Sequence, residues 1–261
     1  GSFPARYGGR LSSIVDIRTN DGDMQKYHGT VSIGLLTSKL HIEGPILKDK
    51  TSFCLTGRRT YLDLVARPFL PEDKKFNYYF YDINAKMNHK FSDRSRLFLG
   101  FYKGKDHYDY KQDKEYDGYS NNYGTSMFFY NSRIDFNWGN MIAAGRWNYV
   151  FNNQLFSNTT IAYNQYRMSM ADAYRKDIVE TDKDGNPIID KNESYVYNSD
   201  YRSGIHDCSF RTDFDYMPVP DHHVKFGVTY LYHTFRPEVT TSRVKEAANG
   251  QTTQDTVYND S

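Results

Sequence analysis

The sequence predicts an all-β protein whose antiparallel strands run up and down, in the layout of a membrane-spanning barrel wall. Three observations predict it: period-2 alternation of apolar and polar residues, strands of ten residues or more, and connections that alternate between short and long. Val224, Phe226, Val228, Tyr230 and Tyr232 place an apolar residue at every second position, with Lys225, Gly227 and Thr229 between them, His233 after them and Leu231 the one exception. Phe210, Thr212, Phe214 and Tyr216 alternate with Ser209, Arg211, Asp213 and Asp215, and Tyr81, Ile83, Ala85 and Met87 with Asp82, Asn84, Lys86 and Asn88. One face is apolar and the other carries charges of both signs.

Nine strands follow, at 27–36, 38–47, 51–59, 77–90, 94–105, 139–151, 154–169, 201–217 and 222–236. The connections at 47–50, 90–93, 152–153 and 218–222 are short, whereas 60–76, 106–138 and 170–200 are read as long loops. The first turn, near Thr37, is short on the long-loop side, and the stretch after Pro237 reads as unstructured. Short turns at one end and long loops at the other are the arrangement of outer-membrane barrels. A soluble sandwich or lipocalin-like barrel also alternates, but leaves the one-sided loops and the charges on its inner positions unexplained. Nine antiparallel strands cannot close evenly, so the expectation is an open sheet belonging to a longer barrel.

Composition agrees with this. The 261 residues include 24 Tyr and 17 Phe and carry a net charge of +1, with no basic excess to mark nucleic-acid binding. Mean hydropathy is −0.77, and no apolar run is long enough for a membrane helix. A barrel strand averages to hydrophilic because only alternate residues meet lipid, so the low value leaves membrane strands open. Cys54 and Cys208 are too few for a disulfide framework, and strand parity puts them on opposite faces.

The segments FPARYGGRLSSIVDIRTNDGD, SIGLLTSKLHIEGPILKDKTSF and GRRTYLDL resemble the plug–barrel junction of TonB-dependent outer-membrane receptors of Bacteroidetes type. WGNMIAAGRWNYVFNNQLFSNTT resembles a downstream barrel hairpin of the same group. The resemblance covers about residues 3–65 and 138–168 closely and the rest by layout. It implies that residues 1–25 are the C-terminal tail of a plug and its link, and 26–261 the first nine or so strands of an expected 22. It implies active nutrient uptake across the bacterial outer membrane, by ligand binding at extracellular loops and gating of the plug. The partners it implies are a TonB-type energising complex acting through the plug, outer-membrane lipid, a nutrient ligand and, in some members, a surface lipoprotein. The junction departs from the polysaccharide-importing branch of these receptors, which argues against a glycan. The alternative is a passive outer-membrane channel or barrel adhesin without plug gating.

Candidate residues are few. Arg10, in the YGGR turn, is a candidate latch between plug and barrel wall, the alternative being a surface turn residue. Tyr108, Tyr110, Tyr116, Tyr119 and Tyr123 crowd a stretch rich in Asp and Lys and are candidates for a ligand-binding loop, since tyrosine offers a stiff aromatic face with a hydroxyl. The alternative there is a solvated loop whose rings pack on one another. DKDGN at 182–186 has its Gly too early for a calcium loop and reads as a hairpin tip. His222-His223 have no second ligand pair, and Asn158-Thr159-Thr160 and Asn192-Glu193-Ser194 match the glycosylation acceptor only by chance. No catalytic motif, metal site or cofactor site is predicted, and no enzymatic activity.

Overall fold

In the computed structural model the described residues are 19–121, 124–188, 192–247 and 252–260; side chains are described except in 117–124, at 243 and from 245 onward. They form one antiparallel sheet of ten strands in strict sequence order. The strands are β1 (His28–Ile33), β2 (Thr37–Leu47), β3 (Thr51–Thr60), β4 (Lys74–Ser92), β5 (Ser95–Asn121), β6 (Gly124–Val150), β7 (Leu155–Thr181), β8 (Glu193–Val219), β9 (His222–Ala247) and β10 (Thr252–Asp260). A short helix α1 (Leu62–Ala66) and one 3-10 turn lie between β3 and β4. Among the described residues β1 pairs only with β2 and β10 only with β9, so the sheet is open.

All nine expected strands are present, and the expected short turns are short. Two of the three long loops are not loops. Each of β5, β6, β7 and β8 runs 27 residues, so most of 106–138 and 170–200 is strand. At ~3.3 Å per residue such strands are about 90 Å long. The reason is legible in His107-Tyr108-Asp109-Tyr110-Lys111-Gln112: dense charge suggests a loop, but ring and polar residue still alternate with period 2. The stretch after Pro237 is likewise strand, finishing β9 and pairing with β10 from Glu238 onward. Pro237 lies one residue before that pairing begins, where β9 has a single neighbour and a missing N–H is tolerated.

This sheet has almost no core. Phe98, 6% exposed, is the one buried large apolar side chain among the described residues. The chain exposes 18158 Å², whereas a compact protein of its mass would expose about 12,000 Å². A single layer buries neither face by itself.

Register aligns the apolar positions into continuous rows. One row runs Ile42, Leu55, Ala85, Phe101, Ala143, Tyr163, Cys208 and Tyr232 across β2 to β9. The next row toward the short turns runs Gly44, Phe53, Met87, Leu99, Gly145, Ile161, Phe210 and Tyr230. Neither row holds a charge. Cys208 lies in the first of them, while Cys54, opposite Glu43 and Lys86, is on the other face; both thiols are free.

The segment before β1 packs on the opposite, polar face. Ser52 Oγ donates to the Asp21 carbonyl at 2.9 Å, and Lys86 Nζ donates to the Thr19 carbonyl at 3.0 Å and pairs with the Asp21 carboxylate. Gly22 has φ +82°, and a Cβ there would lie 2.4 Å from the Phe53 carbonyl oxygen, so close backbone approach requires glycine. Ser52 and Asn88, both fully buried, lie in this contact zone, and Arg96 Nε donates to Asn88 Oδ1 at 2.7 Å.

Candidate functional site

Along the sheet the two faces exchange character. Near the short turns the polar face carries Arg96, Lys86, Arg146 and Asn148, with Phe98 held beneath three cations. The Arg146 guanidinium sits 4.3 Å, Arg96 5.3 Å and Lys86 Nζ 5.8 Å from its ring centre. Toward the long ends of β4–β8 the same face becomes aromatic. One hydrogen-bonded row there reads Tyr78, Tyr108, Phe136, Met170 and Tyr201.

The rings of this wall touch. Phe76 meets Tyr108 edge-on at 5.8 Å, Phe136 lies 4.6 Å from Trp138, and Tyr130 contacts Tyr116 at 5.6 Å and Tyr174 at 6.1 Å. Lys176 Nζ lies 5.0 Å from the Phe128 ring centre, and Lys114 Nζ 5.7 Å from that of Tyr116. Burial pushes the Asp106 carboxyl above its ordinary range, against a hydrogen bond from Tyr78 that lowers it. Burial also raises the Tyr174 hydroxyl, with the neighbouring Tyr130 adding to the shift. A partly dry aromatic surface with a few polar handles suits flat or apolar ligand groups.

Tyr108, Tyr110 and Tyr116 therefore stand on a strand and share the aromatic face, not a loop as the sequence suggested; Tyr110 donates to Gln112 Oε1 at 3.2 Å. Tyr119 lies in β5 with its side chain outside the described residues, and Arg10 and Tyr123 lie outside them altogether. The rings on β4, β6, β7 and β8 were missed because they fall in segments read as loop or assigned only to strands. Their signal was parity: continued through the loops, it puts Tyr130, Phe136, Trp138 and Tyr174 on one face.

DKDGN is a hairpin tip, as its Asp-Gly indicates. The Asp182 carboxylate accepts from the backbone amides of Asp184 at 2.9 Å and Asn186 at 2.8 Å, and Gly185 has φ +85°. His223 bonds Asp215 at 2.8 Å, which also pairs with Lys225 at 3.1 Å. Sequence reasoning missed one grouping on the polar face, His41, Glu43 and Cys54, whose ligand atoms lie within 4.8 Å of one another. Its signal was His-x-Glu on one strand with Cys54 directly opposite Glu43. His41 Nδ1 is taken up by Thr56 Oγ1 at 2.9 Å, so the ring presents Nε2 to Glu43 at 3.8 Å.

Several polar atoms of this face have no partner within the described chain although they are buried: Oδ1 of Asn140, Asn148, Asn158 and Asn164, and Nε of Arg146. Buried polar atoms are ordinarily satisfied, so these positions carry unmet hydrogen-bonding capacity on the polar face. No protein family matches the chain, and comparison with curated proteins and with solved structures finds no match.

Proposed function

We propose that residues 26–261 are part of the barrel wall of an outer-membrane receptor of the TonB-dependent kind, with residues 1–25 the tail and link of its plug. The protein takes up a nutrient by binding it on the outer side and moving the plug aside, driven by an inner-membrane energising complex. Lipid covers the apolar rows, and the polar face lines the lumen.

The observation that carries this reading is the apolar band. It occupies one face only and spans β2 to β9 in register; on β9 it runs from Val224 to Tyr232, close to the 9–11 residues that a bilayer requires, and on β5 it is shorter, from Leu97 to Phe101. The polypeptide leading into β1 packs on the other face, as a plug link inside the lumen would, and the unpartnered asparagine oxygens lie on that face too. This favours a plugged receptor over an open channel. Beyond the band the aromatic wall, with Tyr108, Tyr110 and Tyr116, is the ligand-recognition surface. An open sheet in hydrocarbon would leave edge N–H and C=O groups unpaired, at several kcal/mol each, so further strands complete the wall.

Depletion of nutrients from the medium, compared between cells with and without the gene and with and without an uncoupler, tests the reading. A receptor gives depletion that needs both the gene and the proton-motive force. Gene-dependent depletion that persists in uncoupled cells would identify a passive channel instead.

A further inference from the structure

On the apolar face, just beyond the band on the long-strand side, the register brings cations together. One hydrogen-bonded row reads Arg59, Tyr81, Lys105, Gly139, Arg167, Gly204 and Arg236. It holds four cations and no acid, and glycines separate Lys105 from Arg167 and Arg167 from Arg236. Cations two strands apart stand about 10 Å from one another; a Cβ at Gly204 would meet nothing nearer than 3.9 Å, whereas at Gly139 the Gly104 carbonyl oxygen would lie 2.9 Å away. Lys103 and Arg202 flank this row from the rows below and above. A groove of about 840 Å³ runs between them, lined also by Gln165 and His206, with Glu238 as its one acid.

These cations differ from those farther out. Arg133 pairs with Asp109 and Asp135, and Arg175 with Asp177. Lys103, Lys105, Arg167, Arg202 and Arg236 make no ion pair with a carboxylate of the described residues. Arg167 has the side-chain amide of the neighbouring Gln165 in reach, at 3.0 Å with that amide turned to present its oxygen.

Directly below, on the same face, a second depression of about 660 Å³ is almost wholly apolar. Ala143 and Gly145 form its floor between the taller side chains of Leu99, Ile161, Tyr163 and Phe210. A chain of methylene groups laid there would bury apolar area on both sides and lead upward past Met141 into the cationic groove.

From this pairing we infer that the outer wall holds a specific anionic lipid, with its phosphate headgroup in the groove between Lys105, Arg167 and Arg236 and an acyl chain over Ala143 and Gly145. Charge complementarity selects the headgroup, because five cations face one carboxylate where lipid headgroups meet the wall. The small-residue floor orients the acyl chain. The inference rests on the membrane reading above, which supplies the lipid.

Its test uses the full-length protein in detergent, incubated with phosphatidylglycerol or with phosphatidylcholine of the same acyl chains, and native mass spectrometry of retained lipid. Phosphatidylglycerol should be retained preferentially, and equimolar inorganic phosphate should not displace it. Arg167→Gln and Arg236→Gln should each weaken phosphatidylglycerol retention about fivefold, with phosphatidylcholine unchanged. Gly145→Leu, which fills the acyl depression, should weaken both lipids. Equal retention of the two lipids, or charge variants that behave like the wild type, would overturn the site. Flotation of the same preparations with vesicles separates the two claims. Protein that floats without lipid preference loses only the lipid site, whereas protein that never enters vesicles removes the membrane reading and the site with it.

Discussion

The two halves of β5 are a comparison in one strand. Its first turn-proximal residues put Leu97, Leu99 and Phe101 on one face and Arg96 and Phe98 on the other. Farther along, the first face carries Lys103, Lys105, Asp109 and Lys111, while the second carries Tyr102, Tyr108 and Tyr110. Backbone, pairing and pleat are continuous across the exchange, so secondary structure does not cause it. The surroundings do. In the proposed setting, lipid lies against the apolar face of the lower half, and water surrounds that same face in the upper half. The inner face is polar where it meets lumen and link, and aromatic where a ligand would arrive. Strand parity tells which residues share a face; only the change of residue type along that face tells where one solvent gives way to another.

Five substitutions sharpen the contrast. The largest effect is expected at Phe98, the one large apolar side chain buried among the described residues. Phe98→Ala should destabilise the assembled protein by about 3–5 kcal/mol, since it empties the space beneath Arg146, Arg96 and Lys86. Urea-induced unfolding of the full-length protein in vesicles reads this, and a loss below about 1 kcal/mol would mean that the cluster is not packed as described.

Next comes the apolar band itself. Val228→Arg should cost about 2–4 kcal/mol in the same assay, and Thr229→Arg, one residue along and on the polar face, much less. Val228 is 64% exposed on the isolated sheet, so water alone would give little penalty for either change. Similar tolerance at both sites would remove lipid from the lower half.

In the upper half the order of effects reverses. Tyr130→Ala should change stability by about 1 kcal/mol at most, because its contacts with Tyr116 and Tyr174 lie in a single exposed layer. Ligand uptake should fall far more than stability. An unfolding change that outruns the change in uptake would make the aromatic wall a structural feature.

The smallest effect belongs to the β7–β8 tip. The backbone amide of Asn186, with those of Asp184 and Gly185, holds the Asp182 carboxyl below its ordinary range. A depressed carboxylate contributes stability above its unfolded pKa and loses it as pH falls through the folded value. Protection of the Asn186 amide from hydrogen exchange should therefore drop in acid, and Asp182→Asn should flatten that dependence. An unchanged acid response in the variant would contradict the assignment.

The lower half was largely legible in the sequence. Alternation in 222–236 and 201–217, and short turns such as LKDK, placed the strands, their faces and the opposite siting of Cys54 and Cys208. The upper half was not, because the density of Asp, Lys and Tyr in 107–130 resembles a solvated loop. A strand outside a membrane can be charged on one face and aromatic on the other, and its partner strand, not its own hydrophobicity, holds it straight. Tyr108, Tyr110 and Tyr116 were singled out as a group and do share one face, but on a strand and not on a loop. The rings on facing strands escaped because only register brings Tyr78, Phe136 and Tyr201 into their row. The cationic row escaped for the same reason, since Lys105, Arg167 and Arg236 are far apart in sequence and adjacent only through pairing.

The central claim is that one continuous strand face passes from lipid to water. Spin labels placed singly at Leu97, Leu99, Phe101, Lys105, Asp109 and Lys111 of the full-length protein in vesicles test it directly, through their collisions with oxygen and with a water-soluble nickel complex. The account predicts oxygen-rich, nickel-poor labels at the first three positions and the reverse at the last two, with the change falling near Lys105. Nickel accessibility that is high and uniform from Leu97 to Lys111 would contradict it, because the lower half would then lie in water like the upper.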